Sequence, residues 1–153
     1  MNWVEQRAFE DDEFRRNGGG VWRNLKLGLA SAVESFNKIY TRKAEFTISD
    51  CGHIDENCFR VRSIPPPGEK EKVIEFRIKP EKHSIELKHE NWGKVPIRSL
   101  EIVLGKAGLE LHHEGKPISA EDASKAILEN FLFPGDTHRE PLNPPGQNPP
   151  SAL

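Results

Sequence analysis

The sequence has little of what marks the specialised protein classes. Its 153 residues include two cysteines, too few for a disulfide framework, and no apolar run approaches the roughly 18 residues of a membrane span. The 24 acidic and 22 basic side chains nearly cancel to a net charge of -2, without the positive excess of a dedicated nucleic-acid binder. The chain also starts without a basic and then apolar signal region. These absences predict a soluble cytoplasmic domain that binds neither membrane nor nucleic acid.

Short motifs of enzymes and cofactor sites are missing as well. The chain contains no nucleophile elbow, no Walker A loop and no dinucleotide-binding glycine fingerprint. The three glycines at Gly18-Gly19-Gly20 have neither a strand before them nor a Lys-Ser/Thr pair after them, so they do not form a phosphate-binding loop. We therefore expect a domain without a cofactor and without catalytic activity.

Composition divides the chain into three parts. Residues 1–20 are rich in acidic side chains and end in the three glycines, which are costly to order, so we predict a flexible segment there. Residues 134–153 contain six prolines and few apolar residues, which predicts a disordered tail. Between them, residues 21–133 are expected to form a single α-β6-α domain.

The period of the apolar residues changes within that domain. From Trp22 to Tyr40 they recur every three or four positions, as on one face of a helix. Beyond Tyr40 apolar and polar residues alternate in six runs separated by turn residues, at 44–51, 58–64, 72–79, 84–91, 98–104 and 109–114. Ser119 and Asp122 resemble a helix cap, and Pro134 stops the short helix that follows. We predict an α+β fold: an N-terminal helix, a six-stranded antiparallel meander and a C-terminal helix, with both helices on one face of the sheet.

Charges on the outer face of the sheet indicate a strand register. Pairing Ile78 with Ile85 sets Arg77 opposite Glu86, and it sets a second pair of opposite charges two residues further along. A slip by two residues would set two glutamates opposite each other instead. Each favourable pair is worth a few tenths of a kcal/mol up to ~1 kcal/mol, so the first register is predicted.

Two helices do not cover a six-stranded sheet. Six strands at ~4.8 Å span roughly 29 Å, whereas two helices cover about 20 Å. Three alternatives remain open for the uncovered strip. The sheet curls around the first helix, or the segment with Trp3, Phe9 and Phe14 folds across the strip, or the strip is a ligand groove.

Cys51, His53 and Cys58 form the most metal-like cluster of the sequence. Zinc sites normally use four ligands, and no second pair of ligands with suitable spacing is present. Alternation places both cysteines on the outer face of adjacent strands, where one register brings their Cβ atoms within disulfide range. Because cytosolic thiols are kept reduced, we predict two free thiols flanking a turn, with the disulfide and the metal site as alternatives.

Five polar residues share the parity of the apolar face and lie at one end of the predicted meander: Lys72, His89, Asn91, Arg98 and His113. As a ligand site, Arg98 and Lys72 would hold a carboxylate or phosphate, and a histidine would tune protonation. As plain structure, the long cations would run past the edge of the core and pair with a helix carboxylate. His89 and His113 are two strand spacings apart, roughly 9–10 Å, which is too far to share a metal ion.

Three functions are compatible with these patterns. The leading hypothesis is a non-catalytic protein-binding or accessory module, whose partner is an unknown protein or a second copy paired at an edge strand. Trp92, in the loop after the fourth strand, would anchor such an interface if exposed, or else pack over the sheet end. The first alternative is a carrier of a small apolar or anionic ligand between sheet and helices. The second is an enzyme that uses His89, Arg98 and His113.

Overall fold

The computed structural model describes residues 2–40, 45–51, 56–93 and 96–134, and the account below is confined to them. A 3-10 turn at Pro80–Lys82 joins β3 to β4. The helices and strands are α1 (Trp3–Ile39), β1 (Glu45–Asp50), β2 (Cys58–Ile64), β3 (Val73–Lys79), β4 (Ser84–Glu90), β5 (Ser99–Gly105), β6 (Gly108–His113), β7 (Lys116–Pro117) and α2 (Ala120–Leu132).

The α+β architecture predicted from the sequence is confirmed. The sheet is an antiparallel meander in which each strand pairs with the next along the chain. Both helices pack on its apolar face and share one hydrophobic core with it. The sheet has a seventh strand that the sequence did not predict. Because β7 has only two residues, of which Pro117 is one, it is too short to show alternation.

The register predicted between the third and fourth strands is also confirmed. The observed partners are Ile78 with Ile85, Arg77 with Glu86, and Glu75 with Lys88. The charge pattern continues onto β2, where the Arg60 guanidinium donates to the Glu75 carboxylate at 3.1 Å. Opposite charges thus alternate across three strands on the outer face, as expected for a sheet with one face in water.

Helix α1 is much longer than the sequence predicted. It spans 37 residues and begins at Trp3, so the start predicted near Trp22 is wrong. A capping box explains the true start: the Asn2 side chain accepts from the Glu5 N–H at 2.8 Å, and the Glu5 carboxylate accepts from the Asn2 N–H at 3.2 Å. The helix continues through the three glycines without a break. Among the described residues, no helix is both long and apolar enough to cross a membrane.

The longer helix changes the predicted organisation of the chain. Residues 3–20, predicted as a flexible segment outside the domain, are part of α1. The other predicted boundary, the start of the proline-rich tail 134–153, falls at the edge of what the structure describes. Only Pro134 of that tail lies among the described residues.

Large apolar side chains fill the space between helices and sheet. One core cluster contains Leu25 and Leu29 of α1, Phe131 of α2, and Phe59 and Phe76 of the sheet, and all five are at most 1% exposed. This packing removes the apolar face of the sheet from water, worth roughly 25 cal/mol per Å² of buried apolar surface. The core therefore holds α2 and the second half of α1 on the sheet.

The strip of sheet that two helices leave over is covered in part by the first half of α1. Phe14 is 8% exposed, and its ring stacks on His83 of the β3–β4 turn at a centroid distance of 4.4 Å. Trp3 and Phe9 remain 79% and 46% exposed. Of the three aromatic residues considered for this role, only Phe14 contributes to the core.

Candidate functional site

The structure separates the five polar residues predicted to form one rim. Arg98 and His113 line the same open pocket, of about 380 Å³, where β5 begins and β6 ends. Lys72 lines a different pocket of about 290 Å³, between the β2–β3 connection and the end of α2. His89 is exposed on β4, and the Asn91 amide donates to a backbone carbonyl of the β2–β3 connection at 2.8 Å. The five residues therefore do not converge on one ligand.

The pocket that holds Arg98 and His113 is not suited to an anion. Two carboxylates, those of Glu101 and Glu114, line it together with the single guanidinium. The Glu114 carboxylate lies 3.7 Å from His113 Nε2 and is 84% exposed. Negative charge at the pocket offsets the attraction that Arg98 would exert on a phosphate or carboxylate.

Cys51 and Cys58 are joined by a disulfide, with their Cα atoms 5.4 Å apart, which corrects the prediction of two free thiols. The reason is the register of β1 and β2, which pairs Asp50 with Phe59 and, continued by one residue, sets the two cysteines across from each other. The Glu75 carboxylate lies beside both sulfurs. Sulfurs bonded to each other are not thiolates, however, so this group cannot bind a metal in the oxidised chain. His53, the third member of the predicted cluster, lies outside the described residues.

Trp92 packs over the end of the sheet, which was the predicted alternative to an exposed interface anchor. Its ring meets Phe131 of α2 edge to face at a centroid distance of 5.0 Å. The side chain is half-buried against the core. Trp92 thus closes one end of the core, as an aromatic residue over a sheet end does.

An open groove of about 720 Å³ lies between α1 and α2. Its walls include the exposed Ser31 and Ser35 of α1 and the exposed Glu121 and Lys125 of α2, so it opens to solvent. On the α1 side the lining runs from Gly28 to Tyr40, the residue that caps the helix, about 18 Å at 1.5 Å per residue. The groove is therefore long enough for three turns of a further helix.

A close contact at one end of this groove positions the two helices. A Cβ atom on Gly28 would lie 2.8 Å from Ser124 Oγ, so any other residue at this position requires the Ser124 side chain or the helices to shift. Ser124 in turn donates its hydroxyl to the Ala120 carbonyl at 2.8 Å and needs no partner on α1. Ala32 lines the groove one turn beyond Gly28. Because these residues are small, few side-chain atoms fill the bottom of the groove at this end.

Aromatic rings close the other end. Phe133, just beyond α2, meets Phe36 and Tyr40 of α1 edge to face, at centroid distances of 5.2 and 5.1 Å. Phe36 and Tyr40 stack on each other at 5.0 Å. Because α1 and α2 both end at this cluster, they run in the same direction along the groove.

The lining of the groove combines small and apolar side chains with a charged edge. Its charged side chains are Glu121, Lys125 and Glu129, which follow one another at four-residue spacing on the solvent side of α2. Among the described residues that line it, there is no histidine or cysteine. The arrangement provides apolar and small contacts with a charged edge, which is typical of a recognition surface.

The sequence carried a signal for this groove that is visible only in retrospect. Gly28, Ala32 and Ser35 recur along α1 at helical spacing, and Ala120 and Ser124 do so on α2. Small residues in a helix are also common without any groove, so their spacing does not by itself predict one.

Comparison with protein-family models, with curated proteins and with solved structures finds no match to this chain.

Proposed function

We propose that this chain is a non-catalytic protein-binding module, and that the groove between α1 and α2 binds an apolar peptide segment of a partner protein. The observation that carries the proposal is the groove itself, about 720 Å³ in volume, with a floor of small residues and a closed aromatic end. The described residues that line it include neither histidine nor cysteine. The partner is a protein rather than a nucleic acid, because the chain has a net charge of -2.

The shape of the groove favours an amphipathic helix. Helix-in-groove recognition uses large apolar side chains spaced at i, i+3 or i+4, and i+7, over two to three turns. Ser31, Ala32 and Ser35 leave space for such side chains beyond the Gly28–Ser124 contact, and Phe36 and Tyr40 would contact the last of them. A small ligand, by contrast, is usually enclosed over most of its surface. A groove that opens to solvent along its side suits a segment of polypeptide better.

The charged edge of α2 would orient the bound helix. Glu121 and Glu129 stand on either side of Lys125, each exposed. Complementary charges at an interface rim contribute mainly to specificity and to the rate of association. We therefore expect the preferred segment to carry basic residues on the side that faces Glu121 and Glu129.

A displayed library of random peptides tests the proposal. Ser35→Arg places a long cation in the groove at an exposed position, and Ser99→Arg makes the same change at an exposed position on β5. Apolar peptides selected on the unmodified chain should lose at least ~10-fold in affinity for Ser35→Arg, the loss of one central contact, and none for Ser99→Arg. Peptides that bind both variants alike, or no selection of apolar peptides at all, would rule out this site.

A second arm of the experiment separates a peptide from a small ligand. The probe is the apolar dye 8-anilinonaphthalene-1-sulfonate, added to the folded chain. If the dye binds to the unmodified chain and is excluded by Ser35→Arg, while no peptide is selected, the groove is a ligand-carrying site and the protein-binding proposal is wrong. Competition between a selected peptide and the dye supports the proposal.

Cytoplasmic location is the part of the proposal that the Cys51–Cys58 disulfide argues against, and the state of these cysteines in cells tests it. Reducing systems keep cytosolic cysteines as thiols, so Cys51 and Cys58 should be free in cells if the protein is cytoplasmic. Alkylation of quenched cells, followed by mass spectrometry, distinguishes free from bonded cysteines. A fully bonded pair would place the protein in an oxidising compartment instead.

A further inference from the structure

The outer face of α1 carries two exposed apolar side chains on one line. Phe9 is 46% exposed and Leu27 is 63% exposed. They are separated by 18 positions, which is five full turns of an α-helix, so both project from the same side of α1. The buried residues Leu25 and Leu29 project from the opposite side into the core. Phe9 and Leu27 thus define an outer face, with roughly 27 Å between them along the helix axis.

Gly20 lies on the same outer face, close to the midpoint between Phe9 and Leu27. A Cβ atom at Gly20 would meet nothing within 4 Å. Glycine in a helix interior costs about 1 kcal/mol relative to alanine, and no contact with the described residues explains that cost at this position. A second helix that crosses there at close range would explain it, because helix axes approach most closely where side chains are smallest.

The two halves of α1 carry opposite net charges. Residues 2–20 have five acidic and three basic side chains, for a net charge of -2. Residues 21–39 have three basic side chains and one acidic side chain, for a net charge of +2. A second copy of α1 laid antiparallel would place each acidic half beside a basic half, whereas a parallel copy would place like charges together. The helix is therefore electrostatically complementary to itself in one orientation.

We infer that two copies of this chain associate through the outer faces of their α1 helices, antiparallel, about a two-fold axis that passes opposite Gly18. In this register Phe9 lies beside Leu27 of the partner subunit, and the reciprocal contact forms by symmetry. Gly20 lies next to the crossing point. The inference does not depend on the peptide-binding groove, which is a separate surface between α1 and α2.

The expected interface is small. The contact runs along about 40 Å of each helix and is about 10 Å wide, so it buries on the order of 800 Å² in total. Interfaces below ~1,200 Å² are typical of weak and transient complexes. The dimer should therefore form in the micromolar range and depend on protein concentration and on salt.

Sedimentation velocity over a concentration series that spans the micromolar range measures this equilibrium. Leu27→Asp puts a carboxylate on the apolar contact and should raise the dimer dissociation constant at least ~10-fold. Val4→Asp is the matched control, because Val4 is also exposed on α1, at 54%, but projects from a different side. Circular dichroism checks that both variants keep their helix. A monomer throughout the series, or equal weakening by the two variants, would overturn the inference.

Cysteine cross-linking tests the orientation separately. A mixture of Phe9→Cys and Leu27→Cys chains should form the mixed disulfide-linked dimer under mild oxidation. Each variant alone should not cross-link, since its two cysteines would be roughly 27 Å apart in the antiparallel dimer. Cross-linking of Phe9→Cys with itself would indicate a parallel arrangement and would overturn the proposed register. Ser35→Arg should leave dimerisation unchanged, which separates this inference from the proposed peptide site.

Discussion

The two halves of α1 form one continuous helix but are held by different interactions. The second half buries Leu25, Leu29 and Phe36 in the core, each at most 3% exposed. The first half relies on the Asn2 capping box, on ion pairs within the helix, and on two contacts with His83 of the β3–β4 turn, from the Phe14 ring and from the Asp11 carboxylate at 3.0 Å. The comparison shows that regular secondary structure can continue well past the core. Beyond it, the helix should open locally at much lower free energy.

The largest expected effect comes from removing a buried side chain of the second half. Leu29→Ala should lower the free energy of unfolding by about 3 kcal/mol, because Leu29 is 0% exposed and its truncation leaves a cavity. Leu27→Ala, two positions earlier and 63% exposed, should change it by less than ~0.5 kcal/mol. Urea denaturation of both variants measures the difference. Equal losses of unfolding free energy would mean that burial in the core does not distinguish Leu29 from Leu27.

The next effect concerns the single apolar contact of the first half. Phe14→Ala removes the ring that stacks on His83 and should cost about 2 kcal/mol, less than a fully buried phenylalanine, since the site lies at the edge of the core. Hydrogen exchange should then accelerate in residues 5–17 and stay slow in residues 25–36. The comparison fails if protection falls equally in both halves.

Two glycines, one in each half, should respond to alanine with opposite signs. At Gly19 a Cβ atom meets nothing within 4 Å, so Gly19→Ala should stabilise the helix by up to ~1 kcal/mol. At Gly28 the Cβ atom would lie 2.8 Å from Ser124 Oγ, so Gly28→Ala should destabilise by about 1–2 kcal/mol as the helices move apart. Thermal unfolding of the two variants, followed by circular dichroism, tests the signs. A stabilised Gly28→Ala variant would mean that α1 and α2 are packed less closely at Gly28 than the structure shows.

The smallest expected effect is a pH dependence confined to the first half. Hydrogen bonds from Arg16 and Arg15 lower the pKa of the Asp12 carboxyl below its usual value. A carboxyl with a lowered pKa in the folded state stabilises above the unfolded pKa, and this contribution is lost as pH falls through the folded value. Acidification should therefore loosen residues 5–17 before the core. Asp12→Asn should abolish that trend in hydrogen exchange measured across the acid range.

The sheet was predictable because its signals are local. Alternation of apolar and charged residues identified the strands, and the charges at Arg77 and Glu86 fixed the register, since each depends on immediate neighbours. The true start of α1 was missed for the opposite reason. Its first half has no apolar stripe of period 3.6, and the polar pair Asn2 and Glu5 caps a helix that the three glycines seemed to forbid.

The site was less predictable than the fold. The groove exists because Gly28 meets Ser124, nearly a hundred residues later in the chain, and no local pattern encodes how two distant helices cross. The rim was predicted from parity alone, and parity correctly places Arg98 and His113 in one pocket. It does not predict that Lys72 lines a different pocket beside α2. The pairing of the cysteines could be derived from register, but their oxidation state could not.

Because α1 and α2 run in the same direction, their backbone dipoles affect the orientation of a segment bound in the groove. The peptide dipoles of the two helices add instead of cancelling, so two sets of carbonyl groups lie side by side near Tyr40 and Phe133. The resulting partial negative charge favours a cation or the amino end of a helix, by typically 0.3–1 kcal/mol per helix end. A segment in the groove would therefore lie with its amino end toward the aromatic cluster. The helix dipoles alone would thus favour one orientation of the bound segment.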